Sequence, residues 1–226
     1  MTLSSRGAVV ILAIALVAIA SRTGAQSAAE RDRALHDPSS AFWRDRAPDV
    51  YRVRFETTRG AFTLEVTRSM APLGADRFYN LIRAGYYDDS RFSRVIKNYI
   101  VQFGVPRDSV LARLWYHNTF PDDSLHVSNV RGSFAFAMRG PSDRTTQIYI
   151  NLADNVRNDG QGFSPFGRVV EGMNVVDSLY NGYGDSSGGG VRAGKQGPLL
   201  EGGNAFVDRE YPKLDHLIRV TIVDRR

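Results

Sequence analysis

Arg94 calls for a chemical explanation because it is a cation on the more apolar side of a strand-like run. It lies in DDSRFSRVIKNYIVQFG, residues 88–104, where two short strand-like runs follow a turn. Alternation along the first run predicts that Arg94 shares a face with Phe92 and Ile96, the more apolar side. A buried arginine normally pairs with a carboxylate, yet residues 90–107 contain no aspartate or glutamate. The question is what this cation binds.

The motifs of the common catalytic chemistries are absent. The chain has no cysteine, which excludes disulfides, thiolate metal sites and a cysteine nucleophile. GFSPFG at 162–167 lacks the spacing of a serine nucleophile elbow, and the four histidines form no zinc motif. GYGDSSGGG at 182–190 does not match a dinucleotide loop, and the net charge of +5 is spread along the chain, unlike a nucleic-acid footprint. We therefore predict no metal, no cofactor and no nucleic-acid partner.

The elements that must position Arg94 are mostly short strands. YRVRFETTRGAFTLEVTR, residues 51–68, alternates and turns at TRG, which predicts a β-hairpin. One helix is predicted between Pro72 and Gly85, where apolar residues recur at helical spacing, and a second in GMNVVDSLYNG. Further strands are predicted at RFSRVI, YIVQFG, GSFAFAM, TQIYINL, FGRVV and HLIRVTIVD. This pattern favours a mainly β fold, a closed barrel with two helical caps.

The first 25 residues have the pattern of a secretory signal peptide. An early arginine precedes an apolar run of 13 residues, 8–20, and small residues lead to a cleavage site after Ala25. The run is too short to cross a hydrocarbon core of ~30 Å at ~1.5 Å per residue, so no stable membrane span is expected after cleavage. An uncleaved membrane anchor is the alternative. We expect an exported protein, either periplasmic or extracellular.

The remaining chain divides into two parts. Residues 26–49 are polar and predict a linker that ends in a docking segment, AFWRDRAPDV. Residues 50–226 predict one folded domain, long enough to bury a core without disulfides. Within this domain, the glycine-rich stretch 182–204 predicts a loop.

Several segments resemble the cyclophilin family of peptidyl-prolyl cis/trans isomerases. RFSRVI with YIVQFG, FAFAMRGPSDRTTQIYIN and GFSPFGRVVEGMNVVDSL are similar, in order and spacing, to the three signature blocks of that family. The resemblance extends from about residue 50 to residue 224, and WRDRAPDV and GNAFVDREYPKLDHL are similar to a group of secreted bacterial members. It implies an eight-stranded antiparallel barrel closed by two helices, with a substrate groove on the outer wall.

The resemblance also implies a role for individual residues. Arg94 aligns with the catalytic arginine of the family, and Gln102 with the glutamine that supports the arginine and the substrate. The remaining aligned positions are substrate-binding ones, comprising the proline pocket, the strand that bonds the substrate backbone and a second groove glutamine. These residues are Tyr99, Ile100, Ala137, Met138, Arg139, Gln147, Tyr149, Asn158 and Phe163.

The physical chemistry of proline isomerisation suits such a site. Rotation about an X–Pro bond is opposed by amide resonance, with a barrier of ~18–20 kcal/mol, and no bond is made or broken. The lone pair of the prolyl nitrogen becomes localised as the amide twists out of conjugation. A guanidinium aimed at this nitrogen therefore binds the transition state more strongly than the ground state. The expected substrates are proline-containing polypeptides, and we expect the protein to act as a monomer.

Three departures from the family pattern keep a second function open. Met138 and Arg139 replace small or polar residues, and Asn158 replaces an apolar pocket residue. Arg139 has two hypothetical effects, which are narrowing a neighbouring pocket and attracting acidic peptides. The alternative function is a peptide-holding chaperone or scaffold of the same fold with weak activity. Separately, Arg94 has the alternative of a surface strand arginine, and Tyr99, Ile100 and Tyr149 that of barrel core.

Overall fold

The computed structural model describes residues 27–187 and 196–225. In this part of the chain the strands are β1 (Val50–Thr57), β2 (Gly60–Thr67), β3 (Arg94–Ile96), β4 (Ile100–Phe103), β5 (Ser133–Phe136), β6 (Ile148–Asn151), β7 (Gly167–Glu171) and β8 (Leu217–Arg225). The helices are α1 (27–36), α2 (Pro72–Ala84), α3 (Ser109–Tyr116), α4 (Met173–Asp177) and α5 (Gln196–Glu210). The strands form one antiparallel sheet in the order β3-β4-β6-β5-β7-β2-β1-β8, which confirms a mainly β fold.

The sheet is an open, curled half-barrel, so the prediction of a closed barrel is wrong. β3 and β8 are its two edges, and within the described residues no ladder of hydrogen bonds joins them. The two edges approach each other where Arg91, before β3, forms an isolated bridge with His216, before β8. β3 is three residues long and its outer side is bridged at Val95 by Gly184, which leaves little free edge for β8.

The β1–β2 hairpin and helix α2 form as the sequence predicts. Every residue of β1 has a partner in β2, from Val50 opposite Thr67 to Thr57 opposite Gly60. Pro72 is the first residue of α2, and Gly85 ends the helix in a left-handed conformation with φ of 73°. Both elements turn apolar side chains toward the same core, which fixes their mutual packing.

Aromatic rings make up much of the core between the sheet and α2. Phe78 of α2 lies in the middle, with ring centroids 5.4 Å from Phe166, 5.8 Å from Phe134 and 6.4 Å from Phe55. Edge-to-face and offset contacts of this kind are worth ~0.5–1.5 kcal/mol each beyond area burial. The sheet is therefore held rigid on its inner side, and the groove described below lies against its other side.

The helical content exceeds the two predicted helices. Residues 196–204 of the predicted glycine-rich loop belong to α5, which is kinked at Gly203, whereas 188–195 lie outside the described residues. α3 and α5 pack around a second apolar cluster, formed by Val105, Ala112, Leu199, Val207 and Leu214. The glycines of α5 predicted a loop because glycine has a low helix propensity. The helix forms nonetheless because tertiary packing on this cluster stabilises it.

The N-terminal segment is ordered against the domain. Residues 27–36 form α1 where a linker was predicted, and the docking segment contains a short 3₁₀ helix, Ala41–Arg44. The indole of Trp43 lies edge-on to that of Trp115, with centroids 4.5 Å apart. The predicted signal peptide, 1–25, lies outside the described residues. No helix among the residues that the structure describes has the length and apolar character needed to cross a bilayer.

Candidate active site

A groove of about 750 Å³ lies on the side of the sheet away from the aromatic core. All eleven residues predicted for the site line it, although they come from five separate parts of the chain. They are Arg94, Tyr99, Ile100, Gln102, Ala137, Met138, Arg139, Gln147, Tyr149, Asn158 and Phe163. The structure thus brings the predicted residues together, while their individual roles stay predictions.

The β3–β4 hairpin positions Arg94 opposite Gln102. The two residues are cross-strand partners, and the turn between the strands is made by Asn98 in a left-handed conformation with φ of 57°. Arg94 Nη1 donates to Gln102 Oε1 at 3.2 Å, and Gln102 Nε2 donates to Gln147 Oε1 at 2.9 Å. A polar chain therefore runs from the guanidinium across β4 to the segment that leads into β6.

The predicted environment of Arg94 needs two corrections. β3 begins only at Arg94, so Phe92 does not share its face; Phe92 and Val95 both contact the main core, while Arg94 lies in the groove. Arg94 also has a carboxylate partner, since its Nε donates to Asp185 Oδ1 at 2.5 Å. Asp185 is 91 residues away along the chain, beyond any local pattern.

The apolar wall of the groove is a compact cluster beside the polar chain. Ile100, Ala135 and Tyr149 are buried, and Tyr99, Ala137 and Phe163 pack against them. The rings of Tyr149 and Phe163 meet edge-on at 5.5 Å. A wall of aromatic and aliphatic groups of this kind suits the flat ring of proline, which offers apolar surface and no hydrogen-bond donor.

The hydroxyl of Tyr149 forms hydrogen bonds inside the protein, and one of its partners is the side chain of Asn158. Tyr149 donates to Asn129 Oδ1 at 2.6 Å, and it also hydrogen-bonds with Asn158. Burial raises the pKa of Tyr149 far above its usual value, so the phenol is neutral at any physiological pH. Asn158 is 3 % exposed, and its hydrogen bond with Tyr149 gives this buried polar side chain a partner where an apolar residue was expected.

Arg139 lies at the far end of the groove with its charge compensated. Its Nε and Nη2 donate to the two carboxylate oxygens of Asp143 at 2.6 and 2.5 Å. Its guanidinium also lies 4.0 Å from the centroid of the Tyr116 ring, which α3 supplies. This arrangement favours the hypothesis that Arg139 narrows the groove over the hypothesis that it attracts acidic peptides.

The groove also contains residues that the sequence reasoning did not assign to it. Asp185 reaches Arg94, Asp143 and Tyr116 hold Arg139, and the Arg157 guanidinium lies 4.8 Å from the centroid of Tyr99. Only the i,i+4 spacing of Arg139 and Asp143 is a signal that a sequence pattern offers. The described residues contain no group of three or more side chains suited to hold a metal ion.

Comparison with solved structures identifies the fold. A cyclophilin-type peptidyl-prolyl cis-trans isomerase from Cryptosporidium parvum superposes with a TM-score of 0.59 at 20% identity, over 78% of this chain and 99% of that chain. A cyclophilin from Hirschia baltica superposes with a TM-score of 0.57 at 15% identity, over 79% of this chain and 76% of the other. The half-barrel with its groove is therefore a cyclophilin fold.

Sequence comparison then establishes the family. The family model of cyclophilin type peptidyl-prolyl cis-trans isomerase/CLD matches residues 52–195. A peptidyl-prolyl cis-trans isomerase of Acinetobacter baylyi is 31% identical over 135 residues, 57% of this chain and 71% of that protein. Peptidyl-prolyl cis-trans isomerase-like 1 of Mus musculus is 32% identical over 135 residues, 58% of this chain and 79% of that protein. The chain belongs to the cyclophilin-type peptidyl-prolyl cis-trans isomerases.

Proposed function

We propose that this isomerase accelerates X–Pro rotation in exported polypeptides, and that Arg94 does so by stabilising the twisted amide. The observation that carries the mechanism is the placement of Arg94 at the border between the polar chain and the apolar wall. A solved structure of the same fold is described as determined in the presence of the dipeptide Ala-Pro, which supports a proline peptide as occupant of this groove.

The two sides of the groove have complementary tasks in this mechanism. The wall of Ile100, Tyr149 and Phe163 holds the prolyl ring by apolar contact. Arg94 donates to the prolyl nitrogen as the lone pair of that nitrogen becomes localised. Gln102 keeps the guanidinium in place from β4. Because the donor interacts more strongly with the twisted amide than with either planar form, it lowers the barrier in both directions.

The test of this mechanism is the rate of cis-to-trans conversion of a proline peptide, coupled to proteolysis of the trans form. We expect Arg94→Ala to lower kcat/KM by about 10²–10³-fold, the loss typical of one transition-state donor. Arg113→Ala is the matched control, because Arg113 is an exposed helical arginine outside the groove. Equal rates for wild type and Arg94→Ala would refute the catalytic role, and peptide binding without acceleration would support the chaperone or scaffold alternative.

The export context is a second part of the proposal and rests on residues 1–25. Their charge and hydropathy pattern supports membership in the secreted bacterial group and an enzyme that acts outside the cytoplasm, and we propose that this enzyme is a monomer. The full chain, expressed in a Gram-negative host, is expected in the periplasmic fraction with Gln26 as its first residue. Intact mass would measure the cleavage site, and an uncut chain in the membrane fraction would favour the anchor.

A further inference from the structure

Asp185 lies beside Arg94 because the turn that carries it is held in place by several contacts. The turn follows α4 and includes a short 3₁₀ segment, Asp185–Ser187. Gly184 bridges Val95 of β3, and Ser187 Oγ donates to Ser93 O at 2.6 Å. The backbone that carries Asp185 is thus held against the β3 segment by a contact on each side of it in the chain.

The second apolar cluster supports the same turn from outside. Tyr211, which follows α5, donates its hydroxyl to Ser186 O at 2.6 Å. Its ring lies 5.1 Å from that of Tyr183, which in turn lies 5.1 Å from that of Tyr180. α5 lies wholly beyond the residues that the family model matches, 52–195. The support for this turn therefore comes from a part of the chain that the family model does not cover.

The carboxylate and Gln102 hold different nitrogens of the guanidinium. Asp185 accepts from Nε and Gln102 accepts from Nη1, so the plane of the group is fixed from two directions. Among the residues that the structure describes, Nη2 of Arg94 has no acceptor within hydrogen-bond distance. Nη2 is consequently the donor that remains for a substrate, and the orientation of its guanidinium is set before the substrate binds.

We propose that Asp185 is a positioning residue, which orients the Arg94 guanidinium toward the prolyl nitrogen and thereby raises the isomerisation rate. This inference rests on the proposed function of Arg94. An unrestrained arginine samples many rotamers, and part of that conformational entropy is lost each time it meets the transition state. The Asp185 side chain is 55% exposed, so water screens its charge and the electrostatic attraction between Arg94 and the developing lone pair is largely retained.

The experiment compares Asp185→Asn and Asp185→Glu with wild type in the proline-peptide assay. We expect Asp185→Asn to lower kcat about tenfold with little change in KM, because orientation acts on the transition state more than on ground-state binding. Asp185→Glu should recover part of the loss, since it restores the charge. Asp177→Asn is the matched control: Asp177 pairs with Arg131 at 2.6 Å with similar exposure, outside the groove, and its kcat should equal that of wild type.

A second experiment measures how firmly the Arg94 side chain is held, independently of the isomerisation rate. The ¹⁵N–¹H resonance of Arg94 Nε, assigned by its absence in Arg94→Lys, should be sharp and protected from solvent exchange in wild type and broadened in Asp185→Asn. If Asp185→Asn is as fast as wild type or faster, or if the resonance is unchanged, the inference is overturned. A faster variant would mean that the carboxylate holds the Arg94 guanidinium away from the orientation that the reaction needs. Failure of the proposed function is a separate result, since wild type would then be no faster than Arg94→Ala.

Discussion

Tyr149 contributes to the groove through its ring and to the stability of the fold through its hydroxyl. The ring packs with Ile100 and Phe163 in the apolar wall. The hydroxyl donates to Asn129 Oδ1, a buried acceptor behind the wall, at 2.6 Å. The two contributions involve different atoms, so removing one oxygen separates them.

We expect Tyr149→Phe to lower the free energy of unfolding by ~1–2 kcal/mol, because a buried acceptor loses its best donor. The isomerisation rate should stay within about threefold of wild type, since the apolar surface of the ring is kept. Urea denaturation and the peptide assay measure the two quantities. Tyr51→Phe, which removes a buried hydroxyl bonded to Ala75 O, is a control for stability alone. A tenfold loss of rate at unchanged stability would contradict the assignment of the ring to catalysis and of the hydroxyl to stability.

At the scale of single residues, the sequence was most informative where chemistry is local. The family resemblance implied that Gln102 supports Arg94, and the structure makes this contact across the short β3–β4 hairpin, which turns at Asn98. The contact between Arg94 and Asp185 was beyond prediction, because it depends on how a distant turn packs on β3. Spacing patterns predict which residues are neighbours along one helix or strand, whereas Asp185 becomes a neighbour of Arg94 only through tertiary packing.

The turn Val156–Gln161 is the element that carries Asn158 into the groove, and Asp159 ties it to the chain before β5. The carboxylate of Asp159 accepts from Ser128 Oγ at 2.5 Å, and from the backbone and side-chain nitrogens of Asn129 at 2.9 and 2.7 Å. Desolvation favours the neutral form, but these hydrogen bonds outweigh it and lower the pKa of Asp159 below its usual 3.8.

This lowered pKa gives the element a pH-dependent stability. Because the folded-state pKa of Asp159 is below its unfolded value, its contribution is fully present above the unfolded value and is lost as pH falls through the folded value. Wild type should therefore exceed Asp159→Asn in urea midpoint at pH 5, and the gap should narrow as pH falls from 4 to 3. A gap that stays constant over this range would show that the ionised carboxylate contributes nothing.

Among whole elements, the strands and α2 were predictable because period-two and helical patterns mark them directly. α5 was missed, since four of its residues are proline or glycine and its stability comes from packing on α3. The closed barrel was also wrong, because closure depends on whether two distant edges meet. Val95 bridges Gly184 instead, and alternation within a strand carries no information about that choice.

For the whole molecule, the N-terminal segment completes the packing around α2 and α3. Trp115, 0% exposed, donates its indole N–H to Leu35 O at 2.8 Å and packs on Trp43. Ala47 N donates to the Asp76 carboxylate at 2.8 Å, so the segment also contacts α2. None of these residues lines the groove. The segment thus contributes to stability at a distance from the site.

A chain that begins at residue 50 should therefore be less stable than one that begins at residue 26, by ~2–4 kcal/mol, because its Trp115 loses its indole partner and becomes exposed to water. Below its unfolding transition the shorter chain should isomerise peptides at the same rate, since its groove is intact. Urea denaturation followed by far-UV circular dichroism measures the first quantity and the proline-peptide assay the second. Trp43→Ala in the longer chain should reproduce most of the destabilisation. Equal stability of the two chains would mean that residues 26–49 rest on the domain without stabilising it.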